Sequence, residues 1–190
     1  VMNFTRPVNI EAEGENFTAL EIQEESADMA RRSVSYNHLD EKVNIVTGDI
    51  KDASKIFGAS SFDVITTNPP YMIGGHGLTN PEGPKAIARH EVKCTFEDVA
   101  AAASRLLKPQ GSFFLVHRPF RLAEIIVTLN AYKLEPKRLR LLRHKEGGPV
   151  SLLLIGFRKG AKPGLIWEEA SLYDKNDDPT AFFRSVYHLD

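Results

Sequence analysis

Short apolar runs rich in β-type residues alternate along this chain with segments of helical spacing. No other feature restricts the fold as much. Phe17–Gln23 (FTALEIQ) reads as a strand, and in Ser26–His38 the residues Ala27, Ala30 and Val34 recur at helical spacing. Val43–Thr47 (VNIVT) is again a strand, Lys51–Phe57 a short helix and Phe62–Thr67 (FDVITT) a buried strand. After a Pro- and Gly-rich loop over Asn68–Pro84, Thr95 with Asp98 three residues on predicts a capped helix to about Leu107, ended by Pro109 and Gly111. Ser112–Val116 is the next strand and Leu122–Asn130 the next helix. Leu134–Leu142 and Val150–Phe157 are strands with no helix between them. Such a chain folds as an α/β protein with a doubly wound, mainly parallel sheet. Its last two strands form an antiparallel hairpin at one edge. The tail from Ser171 reads as a turn and then a short helix from about Thr180.

Composition fits a single domain over residues 1–190. The chain is 42% hydrophobic and 26% charged, which excludes collagen-like, coiled-coil and disordered classes. Its longest apolar runs, such as Leu152–Ile155, fall far short of the ~20 residues of a membrane helix. No basic, then apolar, leader opens it, and a single cysteine, Cys94, leaves no internal disulfide framework, so a cytoplasmic protein is expected. The net charge of −1 conceals an asymmetry. Val1–Asp63 holds 6 basic and 12 acidic residues, whereas Arg105–Lys162 holds 13 basic and 3 acidic. The second segment suits a phosphate-rich partner, and reads equally as a solvated basic surface.

Asn68-Pro69-Pro70-Tyr71 directly follows the FDVITT strand. That is the carboxyl end of a parallel strand, where open α/β sheets bind ligands. These residue types suit a planar exocyclic amine, whose lone pair is delocalised into its ring. Asn68 offers a side-chain carbonyl and Pro69 a backbone carbonyl on a rigid frame, two acceptors that favour a more tetrahedral nitrogen. Tyr71 offers a π-face on which a flipped base stacks. With a methyl already activated on a sulfonium, no strong base is needed and positioning does the rest. Two acids stand at the ends of neighbouring strands. Glu21 can accept ribose hydroxyls, and Asp49, in Gly48-Asp49-Ile50, an adenine amine. Taken singly, Glu21 reads more readily as a solvated strand-end acid and Asp49 as a helix N-cap; together with Asn68, all three at carboxyl ends of consecutive strands, they point to one shared site. His90 and Cys94 stand four apart but lack further ligands, so no metal is expected.

Glu21-Ile22, Gly48-Asp49-Ile50 and Asn68-Pro69-Pro70-Tyr71, in this order, resemble a class I S-adenosylmethionine-dependent methyltransferase of the amino-group-modifying branch. The stretch ALEIQEESADMARRSVSYN, with IARHE (Ile87–Glu91), LVHRP (Leu115–Pro119) and LEPKR, narrows the resemblance to the bacterial tRNA(Val) adenine-N6-methyltransferases, from about Phe17 to Gly164. The resemblance implies a Rossmann-like methyltransferase sheet. It implies a catalytic set of Asn68, Pro69, Pro70 and Tyr71, and S-adenosylmethionine held by Glu21, Ile22, Asp49, Ile50 and Asn68. The partner implied is the anticodon stem-loop of a tRNA. Lys85, Arg89, His90, His117, Arg118, Lys137 and Arg138 are its candidate contacts, and Met72–His90 reads as a lid over the base pocket.

The chain departs from that family at its start. Family members open with a strand and a glycine-rich loop that cradles the cofactor's methionine part, and nothing in Val1–Asn16 reads as either. The missing strand would lie between those starting at Phe17 and Phe62, so the expectation is that the sequence omits residues of the protein. The tetrapeptide alone equally serves glutamine methyltransferases of release factors and DNA adenine methyltransferases. A non-catalytic RNA-binding relative is the third reading.

Overall fold

The structure, a computed structural model, describes residues 16–69 and 94–189. These fall into two compact units that divide after Ile56.

In the first unit β1 (Phe17–Glu21) pairs in parallel with β2 (Val43–Thr47), Phe17 opposite Val43 and Glu21 opposite Thr47, with α1 (Glu24–Tyr36) connecting them. The helical spacing of small apolar residues is what α1 buries. Ala27 and Val34 form a core with Ile45 of β2, and Ala19, Ala30, Leu39 and Val43 pack against it. The side-chain amide of Asn37 donates to the Ser33 carbonyl at 2.7 Å and closes the helix. A 3-10 turn (Ile50–Asp52) then leads into α2 (Ala53–Phe57).

The second unit holds a five-stranded sheet in the order β3-β4-β6-β5-β7. Its strands are β3 (Phe62–Thr67), β4 (Leu107–His117), β5 (Leu134–Lys145), β6 (Val150–Lys159) and β7 (Ile166–Tyr173). Helices α3 (Phe96–Leu106), α4 (Leu122–Ala131) and α5 (Ala181–Tyr187) accompany it. Strands β3 and β4 are parallel, as are β5 and β7, while β6 is antiparallel to both β4 and β5. Among the described residues three of the five pairings are therefore parallel. Period-2 alternation builds the core: Phe113, Leu115 and His117 of β4 and Leu153, Ile155 and Phe157 of β6 are buried. Ile125 and Leu129 of α4 and Val99, Ala100 and Ala103 of α3 complete it. Thr95 caps α3 as expected. Its hydroxyl accepts from the Asp98 N–H at 3.2 Å and the Asp98 carboxylate accepts from the Thr95 N–H at 2.8 Å.

Three differences from the sequence reading stand out. The β5–β6 hairpin forms, but β6 lies inside the sheet and the edge belongs to β7, a strand the tail gave no sign of. In IWEEASLY two glutamates break the apolar alternation. Pairing across β5 supplies what the pattern lacks, through Arg140 with Glu168 at 2.6 Å and Arg143 with Glu169 at 3.1 Å. Strand β4 begins at Leu107 rather than Ser112, through Pro109 and Gly111. The ladder to β3 slips there, since Phe62 faces Leu107 and Val64 faces Ser112. The Lys159 ammonium and the Arg158 guanidinium donate to the Leu107 and Gln110 carbonyls at 2.7 and 3.1 Å across this irregular stretch.

One glycine is dictated by close approach. A Cβ at Gly156 would stand 2.6 Å from the Phe114 ring, so the ring lies over β6 only because no side chain is there. Phe114 is on the face opposite Phe113 and is 41% exposed.

Candidate active site

Asn68 and Pro69 leave β3 at its carboxyl end, Asn68 exposed and Pro69 buried. The parallel register ends with Thr67 opposite Leu115, two residues before Pro69 on one strand and two before His117, the last residue of β4, on the other. The ends of two adjacent parallel strands thus meet where the chain's chemistry is expected. Pro70, Tyr71, Lys85, Arg89 and His90, with the lid expected over Met72–His90, lie outside the described residues.

His117 has no exposed surface. Its Nδ1 accepts the Arg118 backbone N–H at 2.8 Å, which puts the ring hydrogen on Nε2. Burial lowers its pKa from the ordinary 6.5, and the Arg121 charge acts the same way, so at neutral pH the ring is an uncharged imidazole. As placed, then, His117 stands behind the strand end and is not a cation facing a phosphate. Arg118 is exposed, and its guanidinium donates to the Ser151 carbonyl at 3.0 Å, tying the end of β4 to the start of β6. A 3-10 turn follows over Pro119–Arg121. Arg121 donates from Nε to the Glu124 carboxylate at 2.7 Å, and its guanidinium stands 5.7 Å from the Phe96 ring centre. Their hydrogen bond raises the Arg121 pKa and lowers that of Glu124.

The other basic residues lie elsewhere on the sheet. Arg138 of β5 faces Gly156, which faces Phe114, which faces Thr66, so it stands level with Thr66 and two residues short of Asn68. Its guanidinium is 3.7 Å from Glu168, and it lines a groove of about 450 Å³ with Thr66, Phe114, Val116 and Leu154. Lys137 donates to the Lys162 carbonyl at 3.1 Å. Three strand spacings, about 14 Å, separate β5 from β3.

In the first unit Glu21 ends β1, and its carboxylate accepts the Gln23 N–H at 2.9 Å. Ile22 beside it is 42% exposed. Asp49, two residues past β2, accepts the Lys51 N–H at 2.9 Å and so caps the 3-10 turn that starts at Ile50. Both acids hold strand-end positions, as the alternation of elements predicts, and each turns one oxygen to the chain's own backbone.

No group of three or more His, Cys, Asp or Glu side chains among the described residues is placed to hold a metal ion. No helix among them is long and apolar enough to cross a membrane.

No protein-family model matches the chain. Among curated proteins it is 33% identical over 132 residues to the tRNA1(Val) (adenine(37)-N6)-methyltransferase of Porphyromonas gingivalis, an alignment covering 67% of this chain and 51% of that protein. The enzyme of the same name from Bacteroides fragilis is 26% identical over 173 residues, covering 89% of this chain and 72% of its own. Among solved structures, a predicted O-methyltransferase of Agrobacterium tumefaciens superposes with a TM-score of 0.71 at 20% identity, over 90% of this chain and 76% of that one. The chain spans about half the length of the Porphyromonas relative. By sequence the chain is similar to tRNA1(Val) (adenine(37)-N6)-methyltransferases, and it shares the α/β fold of the Agrobacterium protein.

Proposed function

We propose that the protein transfers a methyl group from S-adenosylmethionine to the exocyclic N6 amine of an adenine in tRNA, in the anticodon loop beside the anticodon. The observation that carries this reading is the position of Asn68-Pro69 at the carboxyl end of β3, beside the parallel strand β4. It occurs in a chain whose relatives bear that activity in their name.

The side-chain carbonyl of Asn68 and the backbone carbonyl of Pro69 accept the two N–H groups of the amine and draw its nitrogen toward tetrahedral geometry. Pro70 stiffens the turn and Tyr71 stacks on the flipped base. When bound, S-adenosylmethionine supplies a methyl already activated on its sulfonium sulfur. The protein's part is to hold the nitrogen in line with it, where well-oriented reactants gain effective molarities of about 10⁵–10⁸ M.

The acids of the first unit fit the cofactor's hydroxyls and adenine amine. Each carboxylate takes one backbone N–H at 2.9 Å, and a carboxylate accepts as many as about four hydrogen bonds. Ile22 and Ile50 offer apolar surface beside them. Arg118, Lys85, Arg89 and His90 contact the anticodon stem-loop near the target, with His117 behind Arg118, while Lys137 and Arg138 reach phosphates farther along it. In this reading residues 1–190 are part of one methyltransferase domain acting in the cytoplasm.

The deciding experiment incubates the full-length protein with isotopically labelled S-adenosylmethionine and tRNA and analyses the nucleosides by mass spectrometry. Labelled N6-methyladenosine is expected. Label in a release factor or a DNA oligonucleotide instead would move the activity to another amine, and no cofactor binding by calorimetry would leave a non-catalytic RNA-binding protein.

A further inference from the structure

The turn that follows β4 carries a feature that methyl transfer does not use. Phe120, in the 3-10 turn Pro119–Arg121, is 66% exposed. Its ring meets the buried His117 edge-on, with centres 6.4 Å apart and planes at 77°. Among the described residues it is the one large exposed hydrophobic side chain in the three positions that follow the end of β3 or of β4. The turn beneath it is held on every side. His117 Nδ1 takes the Arg118 N–H, the Arg118 guanidinium is tied to Ser151, and Arg121 is paired with Glu124 and set over Phe96. Proline at the first position of the turn fixes its entry. An aromatic ring is thus held out to solvent on a rigid base, two residues from an exposed arginine.

We infer that Phe120 is a base-stacking residue, taking the face of an unpaired nucleotide that flanks the target adenine, with Arg118 at that nucleotide's phosphate. The inference rests on the tRNA reading above. Single-stranded nucleic acids are bound by this pairing, an aromatic face for the base and a cation for the backbone, because every base has a π-face and every nucleotide a charge. RNA loops present such splayed bases, whereas a peptide glutamine brings neither flanking base nor phosphate. Within the core Phe120 contributes little, because most of its surface is in water.

The test measures affinity for an anticodon stem-loop RNA, and KM and kcat for tRNA methylation, in Phe120→Ala, Phe120→Leu and Phe120→Trp of the full-length protein. Loss of one stacked base corresponds to about a 5- to 150-fold weakening. The Ala and Leu variants are expected to raise Kd and KM by that order, with S-adenosylmethionine affinity unchanged and Trp matching or exceeding the natural residue. A Leu variant that binds RNA like the parent would show that apolar area and not the π-face matters, and would overturn the inference, as would an unaffected Ala variant. If the parent protein methylates no tRNA, the tRNA reading falls and this inference with it. If the parent methylates tRNA and the variants do so equally well, this inference falls alone.

Discussion

Asn68 and His117 stand at the ends of neighbouring strands and do opposite work, one turned to the surface and one turned away from it. If Asn68 acts as proposed, replacing it with Ala removes one of two acceptors for the amine. By analogy with loss of a single preorganised polar group, kcat should fall about 10²- to 10³-fold while S-adenosylmethionine affinity, read by calorimetry, is largely kept. Retained turnover would remove the acceptor role. His117 makes a prediction in pH. Its folded pKa lies below the 6.5 of the unfolded chain, so its unfolded form binds a proton first on acidification. The stability it contributes is full above pH 6.5 and declines as pH falls from there toward the lowered folded value. His117→Asn keeps an acceptor for the Arg118 N–H but does not titrate, so its unfolding midpoint should lack that part of the decline. Equal acid sensitivity in the two proteins would assign the effect to other groups. Phe120 shows why such residues escape a sequence reading: a lone Phe in HRPFR looks like core, and only the turn's packing turns it outward.

At the scale of elements, the strands that alternate with helices were legible from their β-type runs, although FDVITT, expected as a buried strand, has no buried residue among those described and Val64 is 54% exposed. FDVITT begins and ends where its apolar run does, and Thr95 with Asp98 announces α3. Strand β7 was illegible because its glutamates are matched by arginines of a strand more than twenty residues earlier, a pairing no local pattern carries. The strand-end position of Asn68 was legible, since it follows from the strand before it. The burial of His117 was not legible: a strand-end histidine beside an arginine reads as a tRNA contact, whereas the ring has no exposed surface. The close approach of Phe114 to Gly156 gives a prediction at this scale. Gly156→Ala should cost about 1–3 kcal/mol of unfolding free energy, measured by denaturant titration, because the new methyl overlaps the ring. Phe114→Leu in the same chain should recover part of it, and simple additivity of the two losses would show that the ring is not what the methyl meets.

For the whole molecule, the charge asymmetry read from the sequence is tempered by the fold. Arg138, Arg140, Arg143 and Lys145 each have a carboxylate within 4 Å, so much of the basic excess is already paired on the surface. Exposed pairs of this kind are weak, so they add little to hold these side chains in place. Reversing Lys137 and Arg138 to glutamate should therefore weaken tRNA binding and flatten the dependence of log K on log salt by roughly one unit per lost contact. An unchanged slope would return both residues to the solvated surface.

The place of β6 in the sheet also sets an order of events in synthesis. Its neighbours β4 and β5 are both made earlier in the chain, yet they do not pair with each other, and β6 lies between them in the sheet. Until Val150–Lys159 has left the ribosome, β3 with β4 forms one fragment and β5 a lone strand. The sheet then closes by insertion, with non-local contacts made last and slowly. Nascent chains stalled with Val150 still inside the exit tunnel should be digested by protease across the second unit. Those released past Lys159 should resist it, which makes the last third of this chain the part that decides whether the rest survives.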